Sequence, residues 1–420
     1  MEPLVTPVMI VRDEEHYLPG ALESLRAAGP VLAAPCVYDT GSVDTTREIA
    51  AAAGATVQQG YWDDDFARAR NASIAMADTA WILWIDADEL LVTDGALLRR
   101  AVELADAEGM DALVIEVDDV RNGSVVNTAP SMRLFRPAVA GFRNRIHESV
   151  HRIGGGKLQV GRLPCEAVRI EHLSYGATEK AEVRAERNLR IAELEVEARR
   201  AGSDLDLLCE ALVNRGRSRA LNGDDEGAEV DLREARSLGS TGSFALYAGE
   251  LLADRYIEQE RIAEATALLR DLRAEGADPS LLAWLTAQAF AKAGRPDAVV
   301  RCLAQVTPPH TALGEALSVA PVLQARMLAA AEVGETEVAL GDAVELIARH
   351  GVYGFARLAL LLWGDRPAEG LADRMAGASQ AHLEQVAEEF SGLGEAGQVV
   401  AKRLSRCSAV EPVEGPSAGG

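Results

Sequence analysis

The apolar positions of this chain follow two rhythms that change near residue 178. In the first stretch, short and nearly continuous apolar runs alternate with helical stripes. The runs are Pro7-Val8-Met9-Ile10-Val11, Cys36-Val37-Tyr38, Ala55-Thr56-Val57, Trp81-Ile82-Leu83-Trp84-Ile85 and Ala112-Leu113-Val114-Ile115-Glu116-Val117. Such runs predict strands, and the one from Trp81 to Ile85, apolar throughout, predicts a strand buried on both faces, as in a parallel sheet. Between them, Leu18, Ala21, Leu22 and Leu25 sit at helical spacing. A second helix is predicted from Thr45 to Ala53, capped by Ser42 with Asp44 and closed by Gly54, and a third from Ala96 to Ala107. Strand and helix in alternation predict a Rossmann-like α/β domain.

Beyond residue 178 only helical stripes follow, beginning with Glu179 to Arg200. A turn then recurs: Asn222-Gly223-Asp224-Asp225-Glu226-Gly227-Ala228, Gln259 to Ala265, Ala293 to Val299, and Val333 to Ala339. The closing small positions are 37, 34 and 40 residues apart. A period near 34 with a small residue entering the second helix predicts degenerate tetratricopeptide-like pairs, each burying its apolar face on its neighbours. The last ten residues, Glu411 to Gly420, read as a disordered tail.

Four segments are therefore expected: an α/β domain at 1–180, a linking helix at 181–200, a helical repeat domain at 201–405 and a tail at 406–420. Composition narrows the partners. With 42 basic against 65 acidic residues the net charge is -23, which disfavours nucleic acid and anionic membrane surfaces. No apolar run reaches 18 residues, and no charged-then-apolar leader is visible at the start, so a cytoplasmic protein that does not span a membrane is expected. Cys36, Cys165, Cys209, Cys302 and Cys407 are scattered, without zinc or disulfide spacing.

The candidate chemistry gathers where strands end. The run Trp81 to Ile85 leads straight into Asp86-Ala87-Asp88-Glu89, and the first strand into Arg12-Asp13-Glu14-Glu15. Strand ends in an open α/β sheet face the ligand crevice, and carboxylates there suit a hard divalent cation bridging phosphate oxygens. Arg70 offers a planar fork for phosphate and Asn71 an amide for ribose or base. Gly41 stands without the other glycines of a dinucleotide fingerprint. From Arg121 to Arg169, nine basic residues face two acidic ones, a local excess that would raise anion affinity.

Four motifs in this order resemble family 2 inverting glycosyltransferases of the GT-A fold, in the bacterial branch with tetratricopeptide repeats. They are Met9-Ile10-Val11-Arg12-Asp13-Glu14-Glu15, Asp39-Thr40-Gly41-Ser42-Val43-Asp44, Asp64-Asp65-Phe66-Ala67-Arg68-Ala69-Arg70-Asn71 and Trp84-Ile85-Asp86-Ala87-Asp88-Glu89, joined by Arg145-Ile146-His147-Glu148. Asp13 stands where the family usually has Asn. The resemblance implies that Glu14 and Asp39 contact base and ribose, that Arg70 lies near the diphosphate, that Asp86 contacts ribose and that Asp88 ligates Mn²⁺ or Mg²⁺. His172 resembles the late histidine that completes the metal shell, with His147 as substitute. An inverting transfer also needs a base within reach of the acceptor. Glu148 is the first candidate, with His147 second; Arg143 and Arg145 flank Glu148 as its expected ion-pair partners.

The expected function is metal-dependent sugar transfer from a nucleoside-diphosphate sugar, with a UDP-sugar favoured, to a peptide, glycan or small-molecule acceptor. The repeats would bind that acceptor or a second copy in a homodimer. Two alternatives are an inactive nucleotide-binding scaffold acting through its repeats, and a nucleotidyltransferase. The intact acidic cluster speaks against the first. The absence of a glycine- and lysine-rich phosphate loop, in a chain with only four lysines, speaks against the second.

Overall fold

A computed structural model describes residues 2–121, 124–173, 181–378 and 380–408. The chain divides into two compact units, 1–228 and 229–420. The expected boundary at residue 180 and the tail from Glu411 lie outside the described residues.

The first unit is built on strands β1 (Val5–Val11), β2 (Cys36–Asp39), β3 (Thr56–Gln59), β4 (Trp81–Trp84), β5 (Glu89–Thr93), β6 (Ala112–Arg121), β7 (Ser124–Phe135), β8 (Ala140–Arg143), β9 (Ser149–Arg152), β10 (Val160–Arg162) and β11 (Val168–Leu173). Its main sheet runs β3-β2-β1-β4-β7-β6-β11-β5, with β10 added beside β6, while β8 and β9 form a separate pair. The first four strands of that order are mutually parallel. β7 enters antiparallel to both β4 and β6, which makes the sheet mixed. Helices α1 (Leu18–Ala27), α2 (Thr46–Ala52), α3 (Phe66–Ile74) and α4 (Gly95–Ala107) connect the early strands. Leu18, Ala21, Leu22 and Leu25 are all buried, as their spacing predicts. They join Val5, Met9, Trp81, Leu83 and Ile85 in one core.

Helices α5 (Ala181–Arg200) and α6 (Leu205–Leu221) also belong to this unit, and α7 (Asp225–Ser237) begins at its end. The second unit continues with α8 (Ser243–Glu258), α9 (Ile262–Ala274), α10 (Pro279–Lys292), α11 (Pro296–Cys302), α12 (Ala320–Val333) and α13 (Thr336–His350), followed by α14 to α17 between Ala356 and Ser408. All four predicted turns separate consecutive helices. The closing residues Ala228, Ala265, Val299 and Ala339 are all buried. The wider last interval has a visible cause, since residues 303–319 form an irregular excursion between α11 and α12. Among the described residues, no helix is long and apolar enough to cross a membrane. Among the described residues, Cys36, Cys165, Cys209 and Cys302 stand outside any disulfide.

Candidate functional site

The loops that follow β1 and β2 are stitched together by short side chains. Asp13 donates its backbone N–H to Ser42 Oγ at 3.0 Å, and its carboxylate accepts from the Val43 N–H at 2.8 Å. The Glu14 N–H donates to Thr46 Oγ1 at 2.8 Å, and Glu15 accepts from the Thr45 hydroxyl at 2.7 Å. Asp44 accepts from the Thr46 N–H at 2.9 Å at the start of α2, whose N-cap is Thr45, while Ser42 serves Asp13 instead of the helix. Asp13 has φ +57. Among residues with a side chain, Asn and Asp occupy that left-handed region most readily, so Asp in the place of Asn is compatible with the loop's shape.

Asp39 departs from its expected role. It is wholly buried, and its two oxygens accept from the Ser42 N–H at 3.0 and 3.3 Å. Its carboxylate is turned to the loop, which it shapes through Ser42. Glu14, beside it, keeps surface, and its carboxyl is pushed up to about 7 by burial and then by repulsion from Asp88, Asp86, Asp44 and Asp13.

Arg70, on α3, is buried and bridges two carboxylates. Its Nη1 donates to Asp86 Oδ1 at 3.0 Å and its Nε to Glu148 Oε1 at 2.7 Å. The guanidinium also lies 4.4 Å from the centre of the Trp84 ring. Burial alone would raise the Asp86 pKa, but the charges of Arg70 and Arg133 outweigh it and hold the group below the usual carboxylate range. Asn71 is a correction. Its amide donates to the Phe142 carbonyl and accepts from the Phe142 N–H, both at 2.9 Å, so here it fastens β8 to α3 and is engaged by backbone where a free amide was expected.

The acidic turn separates into three roles. Glu89 opens β5 and is buried, gripped by Arg133 through two hydrogen bonds of 2.8 and 2.7 Å. Burial and the neighbouring Asp86 raise its pKa against the pull of Arg133. Asp86 faces Arg70. Asp88 faces His172, with Oδ2 3.3 Å from Nε2, and Asp119 Oδ1 holds the other ring nitrogen at 2.8 Å. Strand register creates this contact: β11 places His172 opposite Glu89 on β5 and opposite Asp119 on β6. The hydrogen bond to Asp88, aided by Asp119 and opposed by burial, lifts His172 to about 9.

A metal was expected at Asp88 and His172, and the donor chemistry fits it. A carboxylate on the far nitrogen is the usual outer support of a metal-bound imidazole. Among the described residues no three candidate ligands are gathered at one point. A cation here would therefore draw most of its oxygens from substrate and water, the habit of magnesium-like ions. Asp119 was missed by sequence reasoning. The signal available was its place at the end of the apolar run that begins at Ala112.

Glu148 and His147 sit in the segment between β8 and β9. The expected partners of Glu148 are otherwise engaged: Arg143 binds Glu210 at 3.0 Å, and Arg145 lies within 4.0 Å of Asp65 and Glu195. Arg70 takes their place. His147 has φ +52, and its Nε2 is buried with no hydrogen-bond partner. Burial, then the charge of Arg217, pushes the ring down to about 4. Much of the basic excess between 121 and 169 is paired within the fold, since Arg133, Arg136, Arg152, Arg162 and Arg169 all meet acids from other segments.

Residues 6–159 match the model of the family described as Glycosyl transferase family 2. A TPR repeat-containing protein of Synechococcus elongatus is 39% identical over 148 residues, which span 35% of this chain and 35% of that protein. The match thus covers about a third of the curated relative's length. Among solved structures, S. aureus TarS 1-349 in complex with UDP-GlcNAc is similar at 16% identity, with 70% of this chain and 89% of that chain covered and a TM-score of 0.34. Glucosyl-3-phosphoglycerate synthase from Mycobacterium tuberculosis, in complex with Mn²⁺, UDP and phosphoglyceric acid, is similar at 14% identity, 46% and 77% coverage and a TM-score of 0.31.

Proposed function

We propose, from the match of residues 6–159 to the family described as Glycosyl transferase family 2, that the chain moves a sugar, with inversion, from a nucleoside-diphosphate donor of the UDP-sugar class to a peptide, glycan or small-molecule acceptor. The observation that carries this reading is His172 held between Asp88 and Asp119 beside the Asp86–Arg70–Glu148 chain of ion pairs. Asp88 and His172 would hold a Mn²⁺ or Mg²⁺ ion, with Asp119 orienting the imidazole. Such a cation, when bound, neutralises the charge that develops on the departing diphosphate.

The remaining work falls to side chains. Glu14 and Asp86 contact the nucleoside, and Arg70 fixes the distance between Asp86 and Glu148. Glu148 accepts the proton of the acceptor as the new bond forms, a role typically worth about 10²- to 10⁴-fold in rate. Neutral, buried His147 stands second for that task. The helical repeats recruit the acceptor or a second copy of the chain.

Thermal shift and calorimetry with UDP, GDP and their sugar conjugates, with and without Mn²⁺, test the reading, because a ligand bound by the native state raises its stability by mass action. Stabilisation by UDP that depends on Mn²⁺ is expected. No response to any nucleoside diphosphate would remove it.

A further inference from the structure

We propose that α5 and α6 are part of the catalytic machinery, with Glu195 and Glu210 as positioning residues that set the 143–148 segment carrying His147 and Glu148. This rests on the sugar-transfer reading above for its consequence, but on separate contacts for its geometry.

The segment joins β8 to β9 without regular structure, and two of its non-glycine residues are left-handed, Asn144 at φ +77 and His147 at φ +52. Such backbone is disfavoured unless its surroundings over-determine it, and strain of this kind gathers at functional sites. Here the surroundings are the two helices. Glu210 on α6 accepts from Asn144 Nδ2 at 2.7 Å and from Arg143 Nη2 at 3.0 Å. Glu195 on α5 accepts from the Arg145 backbone N–H at 3.0 Å, with its other oxygen held by Arg199 at 2.5 Å. Ile146 is buried with Ile191 and Ala192 of α5. Four consecutive residues, 143 to 146, are thus each seized by a helix that follows the sheet. The Arg145 carbonyl also accepts from the Phe66 N–H at 2.9 Å, which ties the same segment to the start of α3 and hence to Arg70.

Both carboxylates are almost wholly buried, Glu195 at 5% and Glu210 at 3% exposure. Buried carboxylates that serve only to fasten helices are costly fasteners, since apolar packing of equal volume does as well or better. Their use here delivers something packing cannot: directed hydrogen bonds to one backbone amide and one side-chain amide in a strained loop. The loop is then fixed in angle as well as in place, as a base that must meet its acceptor within hydrogen-bond distance requires.

The test uses the full chain with Glu195→Gln, Glu210→Gln and the pair together. Amide hydrogen exchange over 143–148, UDP affinity with Mn²⁺, and the hydrolysis of UDP-glucose and UDP-N-acetylglucosamine are measured for each. Exchange in the segment should rise by about tenfold or more, and kcat of hydrolysis should fall by about tenfold, with the Kd for UDP within about threefold of the parent. Unchanged exchange and kcat would overturn the proposal, as would UDP affinity falling in step with rate, since that marks a general loss of structure. Should the double variant not fold, Arg143→Met removes the more exposed partner of Glu210 and is held to the same outcomes. A parent protein that neither binds UDP nor cleaves these donors would overturn the sugar-transfer reading instead, and the exchange measurement would still decide whether the two glutamates hold the loop.

Discussion

Arg70 Nε meets Glu148 Oε1 at 2.7 Å across 78 residues of sequence. The same guanidinium holds Asp86 through Nη1. One buried cation therefore links the end of the central strand to the segment between β8 and β9.

Glu148→Gln should lower sugar transfer by about 10²- to 10⁴-fold with little change in donor affinity, because base work belongs to the chemical step. Steady-state kinetics with saturating donor check it, and near-normal turnover would pass the role to His147.

Arg70→Met should behave differently. It leaves Asp86 and Glu148 without their common partner, and removing one member of a buried pair costs about 3 kcal/mol, reduced where a partner keeps water contact as Asp86 does. Urea denaturation should show this loss, together with weakened nucleotide binding.

Asp88→Asn should abolish most metal-dependent nucleotide affinity at nearly constant side-chain volume. Asp86→Asn should weaken nucleotide binding while its Mn²⁺ dependence survives. Calorimetry with UDP and titrated Mn²⁺ separates the two, and an unaltered Mn²⁺ requirement in Asp88→Asn would end the assignment.

Two truncations separate the sheet from its helices. A chain ending at Ala228 keeps α5 and α6, and should bind UDP and hydrolyse donor like the full chain. One ending at Arg200 lacks Glu210 and should hydrolyse donor about tenfold more slowly. Equal rates would show that α6 is dispensable.

Glu250 supplies a pH signature in the second unit. It is 4% exposed, its Oε1 has no hydrogen-bond partner, and Oε2 accepts from the Ala312 N–H at 2.9 Å. Burial pushes the carboxyl from 4.5 up to about 7. Between those values the folded chain holds a proton that the unfolded chain releases, so this group's contribution to stability declines as pH rises through the window. Glu250→Gln should therefore stabilise the protein by up to about 3 kcal/mol at pH 8 and by almost nothing near pH 4.5. Melting curves at the two pH values check this, and equal shifts at both would remove the ionisation argument.

Local pattern was sufficient for much of the architecture. Continuous apolar runs located β1, β2, β4 and the start of β6, because strands covered on both faces need no polar alternation, whereas β3, read from Ala55-Thr56-Val57, is an edge strand with three of its four residues exposed. The helical turns near 222, 259, 293 and 333 were equally legible, since each needs a break followed by a small residue that its neighbour can cover. The placement of Asp86 and Asp88 at a strand end was visible for the same local reason. What the sequence could not determine was pairing between distant segments. β7 to β10 escaped notice because polar residues and Pro130 interrupt their pattern. The partner of Glu148 was sought among adjacent arginines, whereas the fold supplies Arg70. Asp39 and Asn71 have the right chemistry for a nucleotide, yet their polar atoms are satisfied internally by Ser42 and Phe142. Asp119 meets His172 only through the register of two strands, and Glu195 and Glu210 reach the site only because α5 and α6 pack back onto it. Hydrogen-bond partnership depends on distance in space, which composition and spacing along the chain do not contain, so these roles were decided by the tertiary structure alone.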